Sequence, residues 1–195
     1  LSADIKTANA LRAYGMSVLT ALTVQHPGAI DRISPIPSDI VTEQLTCLLN
    51  AMPVGAIKIG MIANTDVARA LMDVLGSVDA PIVIDPVQVA TSGATLSTVD
   101  DDIFGQLLSM AKVITPNSQE IERCIGDGEP ERWAIDHNTA ILHTGGHSAA
   151  DPIIDSLWLP RGLHRRWTHP RVATVHTHGS GCTLATALAV GLARG

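Results

Sequence analysis

Four short apolar runs punctuate the chain: Ala56 to Ile59, Pro81 to Ile84, Ala111 to Ile114 and Ala140 to His143. Each ends in a polar or glycine-bearing corner, which is the signature of short buried strands rather than of helix segments. Helical patterns lie beside them. Ser38 stands as an N-cap for a helix presenting Ile40, Val41, Leu45, Leu48 and Leu49, and Thr65 as a cap for Val67 to Leu75, with Gly76 as the stop. Strand, helix and strand in that order force parallel pairing, because the helix carries the chain back to start the next strand in the same direction. The expected fold is therefore α/β, with a mainly parallel central sheet and helices on both faces. A composition of 46% hydrophobic but only 3% aromatic residues fits such a core of Ala, Val, Ile and Leu.

The other segments are placed around this rhythm, and 195 residues fit one domain spanning 1–195. Leu11 and Tyr14 follow Ile5 at helical spacing ahead of Gly15, so a helix is expected over Asp4 to Tyr14, and Ser17 to Val24 reads as the first strand. Gln25 to Pro37 carries three prolines and a glycine, marking a long loop or short flap over one end of the sheet. Ile153 to Leu159 and Leu163 to Thr168 flank Pro160-Arg161-Gly162, an antiparallel hairpin at the sheet edge.

Several classes are disfavoured. Net charge is −6, and the single basic cluster, Arg161 to Arg171, holds one tryptophan and is broken by Pro170, which argues against nucleic acid. Cys47, Cys124 and Cys182 show neither a disulfide framework nor zinc spacing, and Cys47 and Cys124 read as buried small hydrophobes on helices. No apolar run approaches the ~18 residues of a membrane span. A soluble cytoplasmic protein is expected.

The stretch Thr177-His178-Gly179-Ser180-Gly181-Cys182-Thr183 follows the β-branched run Val172 to Val175 and opens the small-residue apolar run Leu184 to Ala193. It reads as a glycine turn at a helix start, where free amides and the helix dipole favour an anion and glycine allows close approach; tight packing is the alternative. Cys182 falls in the first turn, where a lowered thiol pKa is expected. In an open parallel sheet, ligands gather beyond the carboxyl ends of the strands, so the corners at Gln25-His26, Gly60-Met61, Asp85-Pro86 and Asn117 with Glu120 should converge. An Asp and a Glu suffice for magnesium bound with a nucleotide; Asp85 and Asn117 read also as turn formers beside prolines. Gln25 is either a paired hydrogen-bonding amide for a heterocycle or a loop start, and Met61 either pocket wall or core filler. Gly145-Gly146-His147 is either a close backbone approach to a phosphate or a simple turn.

Ala3-Asp4-Ile5-Lys6-Thr7, Ala13-Tyr14-Gly15, Thr20 to Gln25, Lys58-Ile59-Gly60-Met61, Asp85-Pro86-Val87, Thr115-Pro116-Asn117 with Glu120, Gly145-Gly146-His147 and Thr177 to Thr183 occur in that order over nearly the whole chain. Together they resemble the hydroxymethylpyrimidine/phosphomethylpyrimidine kinases of thiamine biosynthesis, members of the ribokinase-like superfamily with a three-layer α/β/α fold. The resemblance implies ATP and magnesium as cofactors, a small pyrimidine as substrate, and no nucleic-acid or membrane partner; a homodimer is compatible with it. It implies that the Gly179, Ser180 and Gly181 amides form the anion hole for the transferred phosphoryl and that Cys182 stands where many relatives carry an aspartate base. Gln25 would bind the aminopyrimidine with Met61 and Val87 walling its ring, Asp85 and Glu120 would hold magnesium, and Asn117 would lie by the ATP phosphates. Thr144 stands where the family commonly has a phosphate-binding lysine. The family's first strand and last elements are expected outside Leu1 to Gly195. Pyridoxal kinase and a non-catalytic pyrimidine-binding homologue are the competing readings.

Overall fold

Ile82 and Ile84 pack into one hydrophobic cluster while Val83 between them packs into another, so a single three-residue strand is buried on both faces. This follows from the two-residue period of a strand and requires a layer of helices on each side of the sheet. A computed structural model describes residues 1–26, 29–87, 96–147, 151–174 and 177–195. In chain order the elements are Ser2–Ala10 (α1), Ala21–His26 (β1), Ala29–Pro35 (β2), Ser38–Ala51 (α2), Ile57–Ile59 (β3), Thr65–Leu75 (α3), Ile82–Ile84 (β4) and Asp101–Ser109 (α4). Val113–Ile114 (β5), Ile121–Ile125 (α5), Pro130–His137 (α6), Ala140–His143 (β6), a 3-10 turn at Gly145–His147, Ile153–Leu159 (β7), Gly162–His169 (β8) and Ser180–Leu192 (α7) complete them.

The main sheet runs β3-β4-β5-β6-β7-β8. Its first four strands are parallel, and β7 and β8 return antiparallel as the hairpin expected at the edge. One face carries the larger core, where Val41 and Leu45 of α2, Val67 and Leu71 of α3, Phe104 and Leu107 of α4 and Ala134 of α6 meet Ile59, Ile84, Ile114 and Ile141 of the sheet. On the other face, Ala185 and Ala189 of α7 pack on Val83. The three-layer α/β/α arrangement is the one expected. No helix among the described residues is long and apolar enough to cross a membrane.

Local departures have physical causes. Helix α1 ends at Ala10 rather than Tyr14, because Arg12 turns into the left-handed region at φ 56° and Tyr14 faces outward. The run expected as the first strand of the sheet is instead β1, shifted to Ala21–His26 and paired only with β2 in a separate two-stranded hairpin. Within the expected flap, Ala29 to Pro35 is thus a strand, while Pro27 and Gly28 lie outside the described residues, as does Val175 of the β-branched run. The cap of α3 is Asn64, whose side-chain carbonyl accepts from Val67 N at 2.9 Å, and Thr65 is the first helical residue. Ser38 likewise begins α2 after Pro37. Cys124 is buried in α5 as expected, whereas Cys47 on α2 is exposed.

The approach of α7 to the sheet depends on Ala185, which is fully buried. Ala185→Leu is expected to destabilise the fold by roughly 1–3 kcal/mol through overpacking, read as a lowered midpoint in urea unfolding. A loss below about 0.5 kcal/mol would mean that α7 has room against β4.

Candidate active site

The parallel strands bring their carboxyl-terminal corners into one row. Asp85 N donates to Ile59 O at 2.8 Å, Thr115 N to Ile84 O at 3.0 Å, and Thr144 N to Pro116 O at 3.0 Å, so the ladder continues past the strand ends through β3, β4, β5 and β6. Met61, Asp85, Asn117 and Thr144 sit at successive corners, and Val87 follows as its N donates to Asp85 O. Gln25 is placed differently. It lies exposed on β1 at a register shift in the hairpin, opposite Ile30. The root of that hairpin joins the row, since Thr20 Oγ1 donates to Met61 O at 2.8 Å and Leu19 is held by Gln44 of α2.

Gly179 caps α7 in the left-handed region at φ 81°, a conformation that disfavours a side chain, and Ser180 begins the helix. A Cβ at Gly181 would stand 3.8 Å from Asp85 Oδ1, so this helix start lies against the β4 corner, with the Ser180 amide donating to Thr177 O at 3.2 Å. Cys182 lies close enough to Asp85 for each to act on the other's ionisation. Lys58, a charged residue inside the apolar β3, reaches the same corner, with Nζ 3.5 Å from Asp85 Oδ2 and 3.0 Å from Asp4 Oδ1. Asp4 in turn accepts from Thr186 Oγ1 at 2.8 Å, tying α1 to α7.

The charges here are strongly perturbed. Burial pushes the Cys182 thiol up, Lys58 opposes it, and Asp85 and Asp4 add to the rise, so that it reaches about 11. This reverses the lowered thiol pKa expected from the helix start: two carboxylates and burial outweigh the dipole and the lysine. Asp85 is raised by burial against the pull of Lys58. Burial opposes the Lys58 charge, but Cys182, Asp85 and Asp4 outweigh it and its pKa lies above the ordinary value. Glu120 is raised by burial, relieved by the Asn117 backbone and raised again by Asp85, to about 7. Its Oε2 accepts from Asn117 N at 3.0 Å while Asn117 Oδ1 accepts from the amides of Gln119 and Glu120, a closed turn that fixes both side chains.

These residues fit a magnesium site of the partly hydrated kind. Asp85 Oδ2 is buried with the Lys58 ammonium 3.5 Å away and no hydrogen bond of its own, the charge of Asp85 acts on Glu120, and both side chains offer hard oxygen. No cluster of three or more His, Cys, Asp or Glu among the described residues forms a protein cage. Further along the row, Gly145 N donates to Asp155 Oδ1 at 2.8 Å, so this turn binds a carboxylate of its own chain. Arg171 donates to Gly146 O beside it. Lys58, Asp4 and Thr186 were not singled out from sequence as site residues; a lysine between two isoleucines of a buried strand was the available signal.

The fold, a mainly parallel sheet with helices on both faces, is the one found in solved structures of ribokinase-like kinases. The structure of Staphylococcus aureus pyridoxal kinase in complex with pyridoxal matches it with a TM-score of 0.84 at 27% identity, over 99% of this chain and 74% of that one. The phosphomethylpyrimidine kinase structure from Clostridium difficile 630 matches with a TM-score of 0.79 at 26% identity, over 99% and 84%. More particularly, the chain belongs to the phosphomethylpyrimidine kinase family, whose profile matches residues 1–195. It is 35% identical over 214 residues to the hydroxymethylpyrimidine/phosphomethylpyrimidine kinase of Streptomyces coelicolor, covering 100% of this chain and 76% of that protein.

A carboxyl titrating near 7 in the fold but near 4.5 when unfolded binds its proton more tightly in the native state. Its contribution to stability is therefore full below 4.5 and lost as pH rises through 7. Glu120→Gln, which keeps an acceptor for Asn117 N, should be more stable than wild type at pH 8 by about 1–2 kcal/mol after allowance for its partial exposure. The advantage should vanish towards pH 4, as measured by denaturant titration at both pH values.

Proposed function

We propose that this protein transfers the γ-phosphoryl of ATP to the hydroxymethyl oxygen of 4-amino-5-hydroxymethyl-2-methylpyrimidine, and to the monophosphate of that alcohol, in cytoplasmic thiamine biosynthesis. The observation that carries the reading is the start of α7, whose glycine-flanked amides lie against the buried Asp85 in a chain of this family. In the transfer the substrate oxygen bonds to phosphorus, the bond to the bridging oxygen of ADP breaks, and the hydroxyl proton leaves to a base. Such transition states are loose and need chiefly positioning and charge neutralisation. The Gly179, Ser180 and Gly181 amides take the anionic oxygens, the Ser180 amide exchanging its bond to Thr177 O for one to the phosphoryl group. Gln25 offers its amide to the aminopyrimidine edge from the hairpin, and Met61 and Val87 flank the ring. Asn117 lies beside the nucleotide phosphates, with Thr144 as a neutral neighbour. Asp85 and Glu120 hold magnesium, which when bound offsets the charge of the phosphates.

Cys182 is the base, and its environment limits it. With a thiol pKa of about 11, only on the order of one molecule in ten thousand carries the thiolate at pH 7. Turnover should therefore climb with pH towards that value in wild type and lose the climb in Cys182→Ala. At pH 9 that variant should be slower by ~100-fold or more, with pyrimidine affinity nearly unchanged. A wild-type kcat/KM flat between pH 7 and 10 would remove Cys182 as base.

The function itself is tested by ATP turnover with the pyrimidine alcohol, its monophosphate and pyridoxal side by side. Pyridoxal is included because a pyridoxal kinase solved with that ligand shares the fold closely. Roughly tenfold or greater preference for the pyrimidines in kcat/KM is expected. Preference for pyridoxal, or pyrimidine binding without turnover, would sink the reading.

A further inference from the structure

The start of α7 is an unpromising place for an anion if its neighbours are counted without Lys58. Asp85 lies against Gly181, and Asp4 reaches the first turns of the helix through Thr186, so two carboxylates stand beside the amides that are to receive phosphoryl oxygens. Between them sits the ammonium of Lys58, while Asp4 Oδ2 also pairs with the Leu1 amino group at 3.0 Å. Lys58 Nζ is 3.0 Å from Asp4 and 3.5 Å from Asp85, and its side chain is almost wholly withdrawn from water. The local backbone accommodates it. A Cβ at Gly60 would come within 2.7 Å of Nζ, so the corner after β3 leaves space for the lysine to fold back over it.

Resting on the kinase reading above, we propose that Lys58 is the charge-neutralising residue of the phosphoryl site. It acts through the two carboxylates it pairs, cancelling part of the repulsion that Asp4 and Asp85 would exert on an anion at Gly179 to Gly181. Charges a few ångströms apart in a buried setting are little screened by solvent, so this cancellation decides whether the helix start attracts or repels phosphate. Lys58 is thus a positioning residue for charge, and it touches the transferred group only through the field it sets.

The test compares Lys58→Gln, Lys58→Arg and the double variant Asp4→Asn/Lys58→Gln, in which Asn keeps an oxygen for Thr186. ATP–magnesium affinity is read by calorimetry, kcat/KM by phosphoryl transfer to the pyrimidine alcohol, and folding by thermal melt. Lys58→Gln is expected to weaken ATP–magnesium by ~10-fold and kcat/KM by ~100-fold, with pyrimidine affinity within about threefold of wild type. Lys58→Arg should stay within about tenfold of wild type. The distinguishing result is the double variant, which removes one charge of each sign and should regain at least about tenfold over Lys58→Gln. A loss of packing or of a direct lysine contact would not be repaired that way. ATP binding unchanged in Lys58→Gln, or a double variant no better than the single, overturns the inference. If Lys58→Gln does not fold, the folded double variant decides: near wild-type ATP affinity supports the role, and a loss of tenfold or more refutes it. Failure of wild type to phosphorylate either pyrimidine would sink the kinase reading, and ATP affinities of the same variants would then judge Lys58.

Discussion

The distance between α7 and the sheet governs this molecule. A helix dipole is felt only within its first turn, and free amides reach only as far as a hydrogen bond, so an anion site at a helix start exists only where that start is brought up to the chemistry. Here small side chains do this. Ala185 and Ala189 let the helix lie on Val83, and the same contact sets Gly181 beside Asp85. Helix α1 closes the other side of α7, with Asp4 receiving the hydroxyl of Thr186. A bulkier helix face would keep the fold class and lose the site.

Close approach has an electrostatic cost, visible in how the groups titrate. Burying Asp85 and Glu120 at adjacent strand ends raises both, and a neighbouring thiol is driven up rather than down. The corner is therefore short of positive charge in the free protein, with Lys58 as its internal counterweight. Such a site is prepared for a ligand that brings cations with it, and a nucleotide arriving with magnesium does so.

How far this was legible depended on what each segment buries. The four parallel strands and the β7–β8 hairpin were readable because short apolar runs between corners have few other uses. The first strand misled for a definite reason: Leu22 and Val24 alternate as core residues do, yet they are 56% and 49% exposed on a hairpin outside the sheet. Helix α6 was overlooked because Ala134 is its one buried residue, and α4 because Gly105 interrupts its run. At the site, the glycine turn, Asp85, Asn117 and Glu120 could be named from motif order, since parallel topology carries strand ends to a common edge. The thiol pKa could not. It depends on Asp4 and Asp85, which approach Cys182 only through folding.

Among the described residues, the outermost strand of the main sheet, β8, pairs on one side, with β7, and carries Arg165 and Arg166. An open strand edge is a template for another chain, and like-charged side chains are the usual deterrent to such pairing. In this acidic protein the deterrent is a local basic strip rather than overall charge, which leaves self-association through that edge sensitive to ionic strength. Salt shortens the range of this repulsion, so colloidal behaviour in concentrated solution would be set by a strand remote from catalysis.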